Sequence, residues 1–386
     1  MGKIRNVKTY MKRKMRVAVI FGGRSGEHEV SLVSAESVMK SLDRKKYEVI
    51  PIGITKEGSW LTTGNPLKTL KIGRFRELET DHLITPDATQ KSLVKISTNN
   101  FTTQYLKPKK INVIILMLHG PYGEDGTIQG LLELADIPYV GANVLASAVG
   151  MDKVVHKQLF REAGLPIVDF THFLAREWRA NKKPIIKKVN QLGYPVFVKP
   201  ANLGSSVGIS KVRRQRELAG AVGYALQYDR KIIVEKAVID PQEIEVAVLG
   251  NDSPRASVAG EIVASNEFYD YDAKYIDGLS KAVIPARLPK KVAEQIRTIA
   301  VQAFKVIDCS GMARVDFLVS KGKKIYLSEI NTIPGFTSIS MYPKLWSASG
   351  LDYPKLLDEL IRLALERHRE KSKLLTSYRP RAKWYQ

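Results

Sequence analysis

The stretch Ala313–Ser340, ARVDFLVSKGKKIYLSEINTIPGFTSIS, decides the fold and the chemistry that we expect of this chain. Two runs rich in β-branched and aromatic residues flank a turn-forming SKGK, which predicts a β-hairpin. Pairing across the turn places Asp316 near Glu329, and Asn331 points from the same face as Glu329 because side chains alternate along a strand. This oxygen set suits Mg²⁺ or Mn²⁺ and is poorly suited to zinc. The alternative is a solvated hairpin face, on which acidic residues are common.

Length and composition set broad limits on the class of protein. A chain of 386 residues predicts two or three domains, and 44% hydrophobic with 26% charged residues is typical of soluble globular proteins. The longest apolar run, Val113–Leu118, is far shorter than the ~20 residues that cross a bilayer. The single cysteine, Cys309, excludes an internal disulfide and fits a reducing compartment. We therefore expect a cytoplasmic protein with no membrane span.

The formal net charge of +22 leaves two classes of anionic partner open. A strongly basic chain can bind nucleic acid, and it equally suits a substrate that carries phosphates. The basic residues concentrate at the two ends, and residues 1–16 hold seven Lys or Arg and no acid. The pattern favours solvated basic tails, so no specific nucleic-acid partner is expected. A non-catalytic nucleic-acid-binding protein is the competing class.

A short apolar strand at Met15–Phe21 runs into the glycine turn and helix of GGRSGEHEVSLVSAESVMKSL. Helix N-terminal N–H groups at such a turn can meet an anion, but the spacing is not GxGxxG and an NAD site is not favoured. Glu27 could bind a substrate ammonium, with favourable charge at a helix N-terminus as the alternative. A second buried strand, Asn112–Leu118, ends at HGPYGEDGT. His119 there is a candidate polar contact, because ligands bind at the carboxyl ends of such strands.

Two lysines and a Gly/Ser loop predict a phosphate site in the middle of the chain. The amphipathic helix predicted at Met151–Gly164 opens with Lys153, and the strand YPVFVKP terminates in Lys199. The loop that follows, ANLGSSVGISKV, contains Ser205 and Ser206 among glycines and could close over phosphates. Its spacing differs from that of a P-loop, and an ordinary Gly/Ser hairpin is the alternative for the loop taken alone.

The predicted strand Lys231–Lys236, KIIVEK, offers groups for a nucleoside. Glu235 could accept a hydrogen bond from an adenine amino group, with backbone groups of Lys236 and Val238 at the ring edge. Glu243 on the next predicted strand could bind ribose hydroxyls. The alternative for both glutamates is the exposed position that Glu usually takes.

Two further segments give weaker signals. Residues 268–275, FYDYDAKY, mix aromatic and charged side chains before the flexible IDGLS, as a lid over a ligand would, although a surface loop is the default. Residues 64–110 are polar, basic and weakly periodic, and we predict no chemistry there.

Taken in order, these motifs resemble one enzyme family. The chain is similar to the D-alanine–D-alanine ligases, ATP-grasp enzymes of peptidoglycan precursor synthesis, in the ordered set GGRSGEHEVS, LHGPYGEDG, MDK, FVKPANLGSSVGISKV, IVEK, FYDYDAKY, ARVDF and SEINTIPGFTS. The similarity runs from Met15 to about Lys373. It implies an α/β, three-domain ATP-grasp fold with an N-terminal Rossmann-like domain and ATP between two antiparallel sheets. The implied units are a basic tail at 1–14, a Rossmann-like substrate domain at 15–141, ATP-grasp subdomains at 142–235 and 236–372, and a basic tail at 373–386.

The resemblance implies a role for each matching residue. It assigns ATP binding to Lys153, Lys199, Ser205, Ser206, Glu235, Lys236, Val238, Glu243, Phe268 and Lys274, and two Mg²⁺ or Mn²⁺ ions to Asp316, Glu329 and Asn331. It assigns catalysis to Glu27, Ser205, Tyr275, Arg314 and Gly335, and D-alanine binding to Glu27, His119, Arg314, Gly335 and Ser340.

The implied reaction joins two molecules of D-alanine through a D-alanyl phosphate and releases ADP and phosphate. Relatives that form a D-lactate ester lack a tyrosine at the position of Tyr275, so this residue favours an amine nucleophile and a dipeptide product. An ATP-grasp ligase for a different amino acid, or the D-lactate variant, is the nearest rival. The resemblance further suggests a homodimer.

Overall fold

The computed structural model describes residues 14–73, 82–95, 106–263, 281–337 and 339–378. These residues form three larger sheets and one small sheet. Within the described ranges, no helix is both long and apolar enough to cross a membrane.

The N-terminal region supplies eight of the strands among the described residues. Its strands are β1 (Met15–Gly22), β2 (Tyr47–Ile54), β3 (Trp60–Leu61), β4 (His82–Ile84), β5 (Ser92–Lys95), β6 (Leu106–Lys110), β7 (Val113–Met117) and β8 (Tyr139–Val140). Its helices are α1 (His28–Ser41), α2 (Pro66–Ile72) and α3 (Thr127–Leu134).

The first sheet has the order β3–β2–β1–β7–β8, and β1 pairs in parallel with both β2 and β7. All five residues of β7 are buried, which explains its unbroken apolar sequence, because parallel strands are usually covered on both faces. Parallel pairing also brings the carboxyl ends of β1 and β7 to one edge of the sheet. The glycine turn after β1 and the loop after β7 therefore lie at the same edge of the sheet.

The segment from residue 64 to 110, for which we predicted no chemistry, contains structure that its weak periodicity did not reveal. Asn65 caps α2 by accepting a hydrogen bond from the Lys68 N–H at 3.0 Å. The strands β4, β5 and β6 then form a small antiparallel sheet. Leu93 of this sheet is buried in the same core as the first sheet, so the segment packs as an addition to the N-terminal region.

The middle of the chain builds a four-stranded antiparallel sheet of order β11–β10–β12–β9. Its elements, with the two helices that precede it, are α4 (Val144–Met151), α5 (Lys153–Glu162), β9 (Phe170–Leu174), α6 (Ala175–Ala180), α7 (Lys182–Leu192), β10 (Val196–Pro200), β11 (Ser210–Val212), α8 (Gln215–Ala225) and β12 (Lys231–Lys236). Helices α7 and α8 cover one face of the sheet with a core of their own, which includes Val189, Val198 and Val222.

The last third of the chain builds a five-stranded antiparallel sheet of order β15–β14–β13–β16–β17. Its elements are β13 (Gln242–Gly250), β14 (Arg255–Val263), β15 (Lys281–Val283), α9 (Lys290–Val306), β16 (Gly311–Val319), β17 (Ile325–Asn331), α10 (Met341–Ala348) and α11 (Tyr353–Ser372). Helix α9 buries its apolar side against this sheet, with Phe304 and Phe317 fully enclosed.

The last two helices join the C-terminal sheet to the N-terminal one. Trp346 of α10 and Leu360 of α11 belong to the same buried core as Phe21 of β1. The Tyr47 hydroxyl of β2 also donates a hydrogen bond to Asp358 of α11 at 2.7 Å. This shared core holds the loops at the edge of the first sheet against the ribbon formed by β16 and β17.

The sequence prediction of one helix over Met151–Gly164 is wrong in one respect. Asp152 adopts an extended conformation that ends α4 and caps α5, accepting hydrogen bonds from the N–H groups of Val154 at 3.0 Å and Val155 at 3.2 Å. An aspartate that accepts from the first free N–H groups favours a helix start over a helix interior. The break turns Lys153 into the first residue of a new helix.

Candidate active site

The ribbon of β16 and β17 has the register that the sequence predicts. Asp316 lies opposite Glu329, and Arg314 lies opposite Asn331. The register then shifts by one residue, because Phe317 pairs with Leu327 and leaves Ser328 as a bulge. We call Arg314, Asp316 and Glu329 the acidic ribbon. Its carboxylates keep part of their surface exposed, 17% for Asp316 and 34% for Glu329.

Arg314 lies between two carboxylates of the C-terminal sheet. Its Nε and Nη2 donate to the two oxygens of Asp316 at 2.8 and 2.7 Å, and its Nε lies 3.2 Å from Glu245 Oε2. Burial alone would lower the pKa of Arg314, but Asp316 and Glu245 outweigh it and raise the pKa. The guanidinium is thus permanently charged and fixed in direction, as a group that stabilises a developing anion must be.

Lys153 connects the acidic ribbon to the Gly/Ser loop. Its Nζ donates to the Leu203 carbonyl at 2.8 Å and lies 3.5 Å from Glu329 Oε2. Its backbone N–H donates to Ala201 at 2.9 Å, so the start of α5 is anchored to the same loop. A lysine placed between a loop and a carboxylate can exchange those partners for a phosphate.

The Gly/Ser loop reaches across to the N-terminal region. Ser205 and Ser206 both have positive φ angles, 52° and 59°, which non-glycine residues seldom adopt. The Ser205 hydroxyl donates to a carboxylate oxygen of Glu27. Such strained conformations persist where the surroundings hold them and are frequent at ligand sites. Glu27 and Ser205, which the resemblance assigns to catalysis, are therefore in direct contact.

His119 is buried among other polar side chains, close enough to Glu27 to interact with its charge. Its Nδ1 is 3.1 Å from the Ile333 carbonyl and 3.4 Å from Glu124 Oε1, and its Nε2 is 3.2 Å from the Ser34 hydroxyl. Burial alone would lower the pKa of His119, but Glu124 outweighs it and raises the pKa. Burial raises the pKa of Glu124 to about 7, and the charge on Glu27 adds to that rise.

Lys199 of β10 belongs to a second charged group, which we call the lysine–glutamate cluster: Lys157, Lys199 and Glu235. Glu235 Oε2 accepts from Lys199 Nζ at 2.7 Å, and Glu235 Oε1 lies 3.1 Å from Lys157 Nζ. Burial alone would raise the pKa of Glu235, but the two ammonium groups lower it to about 2. Lys199 also lies in the field of Glu329 and Glu243, so the central sheet and the C-terminal sheet face each other across this site.

The loop after β17 supplies hydroxyl and backbone groups beside the ribbon. The Ser340 hydroxyl oxygen accepts from the Thr337 N–H at 3.0 Å and lies 2.7 Å from the Thr337 hydroxyl. A Cβ atom added to Gly335 would lie only 2.8 Å from that same Ser340 oxygen. Glycine at 335 therefore allows the loop backbone to approach Ser340 closely.

Two family models match the chain, D-ala D-ala ligase N-terminus over residues 16–142 and D-ala D-ala ligase C-terminus over residues 159–362. The chain belongs to the D-alanine–D-alanine ligase family. It is accordingly an ATP-dependent ligase of the class that forms D-alanyl-D-alanine for peptidoglycan. The "D-alanine--D-alanine ligase" of Thermoanaerobacter sp. (strain X514) is 52% identical over 362 residues, covering 93% of this chain and 98% of that protein. That of Acetivibrio thermocellus is 50% identical, covering 94% of this chain and 99% of the relative.

Solved structures of related ligases have the same fold as this chain. The D-alanine-D-alanine ligase from Coxiella burnetii superposes with a TM-score of 0.77 at 38% identity, covering 93% of this chain and 96% of that one. VanG D-Ala:D-Ser ligase from Enterococcus faecalis gives a TM-score of 0.80 at 37% identity, covering 91% of this chain and 100% of the other. The predicted ATP-grasp fold is thereby confirmed.

The acidic ribbon of this family member fits a hard divalent cation. Within the described ranges, no three or more His, Cys, Asp or Glu side chains are grouped so that they could hold a metal ion by themselves. The donors here are instead the carboxylates of Asp316 and Glu329 with the amide of Asn331, whose oxygen accepts from the Ile333 N–H at 3.1 Å. Mg²⁺ is commonly bound by one or two carboxylates together with substrate phosphates, which is the donor set available at this open face.

The remaining predicted residues of the ligase site fall into two groups. Lys236 is exposed at the end of β12, and Val238 and Glu243 are half-buried just after it. The Lys236 N–H already donates to Asp169 at 2.9 Å, so a nucleobase would meet this segment through other groups. The predicted lid residues lie outside the described residues: Phe268, Lys274 and Tyr275.

Two charged residues of the site were missed by sequence reasoning. Glu245 contacts Arg314, and its position two residues after Glu243 was an available signal, because alternate residues share a face of β13. Lys157 is buried in the lysine–glutamate cluster, and its spacing of four from Lys153 on one helix was a second signal. Glu124, which the sequence offers with His119 as a candidate polar contact of the loop HGPYGEDGT, does lie beside His119.

Proposed function

We propose that the cleft between the sheet of β9–β12 and the sheet of β13–β17 binds ATP and activates the first D-alanine as an acylphosphate. The observation that supports this most directly is the position of Lys153. Its ammonium lies within reach of both the Gly/Ser loop and Glu329. A cation between a phosphate-binding loop and a metal-binding carboxylate is where the terminal phosphates of a nucleotide are expected.

At the nucleotide end, Lys153 and Lys199 bind the phosphates, with the Ser205–Ser206 segment of the loop closing on them. The end of β12 from Glu235 to Val238 contacts the adenine edge, and Glu243 binds the ribose hydroxyls. Asp316, Glu329 and Asn331 would hold two Mg²⁺ ions, whose chemistry there would be to offset negative charge on the phosphoryl group.

At the amino-acid end, Glu27 binds the ammonium of the first D-alanine and His119 supports it from behind. The carboxylate oxygen of that D-alanine attacks the terminal phosphorus of ATP, ADP leaves, and a D-alanyl phosphate remains. The Ser340 hydroxyl binds the carboxylate of the second D-alanine. This orients the second amine toward the activated carbonyl carbon.

Attack of the second amine forms a tetrahedral intermediate whose oxyanion is stabilised by Arg314 and the Gly335 N–H. The intermediate collapses to the peptide bond and expels phosphate, while the amine loses its proton. Because Arg314 is already fixed by Asp316 and Glu245, its charge needs little reorganisation in this step.

By resemblance, Phe268 packs on adenine, Lys274 reaches the terminal phosphate, and Tyr275 joins Ser205 and Glu27 when the lid closes. Lid closure protects the acylphosphate from water. We further infer a homodimer that works in the cytoplasm, where ATP is available.

The deciding experiment measures ADP release and product mass with ATP, Mg²⁺ and D-alanine, D-serine, D-lactate or L-alanine, alone and in pairs. We expect D-alanine alone to give D-alanyl-D-alanine with one ADP released per dipeptide. A mixed D-alanyl-D-serine or D-alanyl-D-lactate product in preference would overturn the substrate assignment. Nucleic-acid binding without D-alanine-dependent ADP release would instead favour the competing class.

A further inference from the structure

A lysine that has no assigned role lies at the centre of the site. Lys157 is one helical turn after Lys153 on α5, and its side chain is 1% exposed. Its Nζ donates to the Ser328 carbonyl at 2.7 Å and lies 3.1 Å from Glu235 Oε1. A single ammonium group therefore links the helix α5 to strands of two different sheets.

Burying this ammonium is unfavourable unless its partners compensate. Burial lowers the pKa of Lys157, and the carboxylate of Glu235 opposes that shift. Apolar side chains of similar volume in place of the whole charged cluster would commonly be at least as stable. Stability alone therefore does not account for a charge at this position, and a positioning role does.

The first contact of Lys157 acts on the proposed phosphate lysine. Glu235 offers one oxygen to each lysine, so Lys157 supplies half of the positive charge that the carboxylate receives. Among the described residues Glu235 Oε1 makes no hydrogen bond of good geometry, and the Lys157 ion pair is its compensation. Without Lys157, Lys199 would be the sole counter-ion of Glu235 and would be less available to a phosphate.

The second contact acts on the acidic ribbon. Ser328 is the bulge residue that precedes Glu329, and a bulge leaves its residue without a partner across the ribbon. Lys157 donates to that carbonyl and so fixes the bulge that sets the direction of Glu329. One side chain thereby holds both a phosphate-binding and a metal-binding group in place.

We propose that Lys157 is a positioning residue that aligns Lys199, through Glu235, with Glu329, through the Ser328 carbonyl, for binding of Mg²⁺ and nucleotide together. This inference rests on the proposed roles of Lys199 and Glu329. It predicts a defect in nucleotide and metal binding, whereas the D-alanine end of the site stays intact.

The test compares Lys157→Met, Lys157→Arg and the matched control Lys188→Met, which removes an exposed lysine from α7. Isothermal titration of Mg²⁺ and ADP should show at least tenfold weaker ADP binding in Lys157→Met. In turnover assays the KM for ATP and the Mg²⁺ concentration for half-maximal rate should rise at least tenfold, with the KM for D-alanine changed less than twofold. Lys157→Arg should recover part of the loss, and Lys188→Met should match the wild type.

A second variant covers the case in which Lys157→Met does not fold. Lys157→Met combined with Glu235→Gln removes one charge of each sign from the cluster, and we expect it to fold and still bind ADP at least tenfold more weakly. ADP and Mg²⁺ affinities within twofold of the wild type in a folded Lys157 variant would overturn the proposal. Because ADP binding is measured without D-alanine, a failure of the proposed ligation alone would leave this result unaffected.

Discussion

The acidic ribbon and the lysine–glutamate cluster are both charged, but they differ in how their charges are used. In the ribbon, the carboxylates of Asp316 and Glu329 remain 17% and 34% exposed and can exchange partners with a ligand. In the cluster, Lys157 and Glu235 are 1% and 5% exposed and are paired with groups of the protein itself. The ribbon is thus equipped for binding and chemistry, and the cluster for holding the site together. This contrast predicts that substitutions in the two regions fail in different ways.

The largest effect on stability is expected from Glu235→Gln. It leaves the ammonium groups of Lys157 and Lys199 without their shared counter-ion inside the protein, which should cost about 3–5 kcal/mol of unfolding free energy. The matched change in the ribbon, Asp316→Asn, leaves Arg314 with Glu245 and partly exposed surroundings, and should cost only about 1.5 kcal/mol.

Urea unfolding of both variants, without Mg²⁺ or nucleotide, measures the difference. Equal losses in the two variants would mean that the cluster is no more dependent on its charges than the open ribbon. In that case the division between a binding region and a holding region would be wrong.

The ribbon could be predicted from sequence because its determinants are local. Asp316 and Glu329 are joined by a short turn, and β-branched strands with alternating side chains fix which residues share a face. Predicted and observed bounds are also identical for the strand Lys231–Lys236.

The cluster could not be predicted because three separate elements assemble it. Lys157 lies on α5, Glu235 on β12 and the Ser328 carbonyl on β17, and only the packing of two sheets brings them together. The small sheet of β4, β5 and β6 was missed because its short strands are too polar for a clear alternation.

The next largest effect, on catalysis, is expected from Arg314→Ala in the ribbon. The loss of one preorganised group that stabilises a developing oxyanion typically lowers the rate by about 10²–10³. The proposed nucleotide contacts lie elsewhere in the cleft, so ADP affinity should stay within about threefold of the wild type. Arg287→Ala, which removes an exposed arginine before α9, is the matched control.

Coupled ADP-release assays and titration calorimetry separate these two quantities for Arg314→Ala. Wild-type turnover would refute the role of Arg314. A loss of ADP binding as large as the loss of rate would show that the ribbon, like the cluster, mainly holds the site together.

The smallest expected effect is on the pH dependence of stability, through a histidine that lies beside the cluster. His156 is fully buried beside Lys157 on α5, with its Nδ1 3.2 Å from the Gly150 carbonyl. Burial lowers the pKa of His156 to about 3, with Lys157 and Lys153 adding to the shift and Glu329 opposing it. Unfolded histidine titrates near pH 6.5, so between pH 6.5 and 3 the unfolded chain binds a proton that the folded chain does not. The free energy of unfolding therefore has its full value well above pH 6.5, where His156 is neutral in both states. Well below pH 6.5 it falls by about 1.4 kcal/mol for each pH unit.

His156→Asn keeps an N–H donor for the Gly150 carbonyl and removes the titration. The unfolding free energy of the wild type should therefore fall more steeply than that of the variant, by about 1.4 kcal/mol more between pH 7.5 and 5.5. Urea unfolding of both proteins at pH 7.5, 6.5 and 5.5 measures the two slopes. If the unfolding free energies of the wild type and His156→Asn fall equally with pH, His156 accepts its proton in the folded state. Lys153 and Lys157 would then lower the pKa of His156 less than their burial implies. The charges of the cluster would be screened by solvent, as those of the open ribbon are.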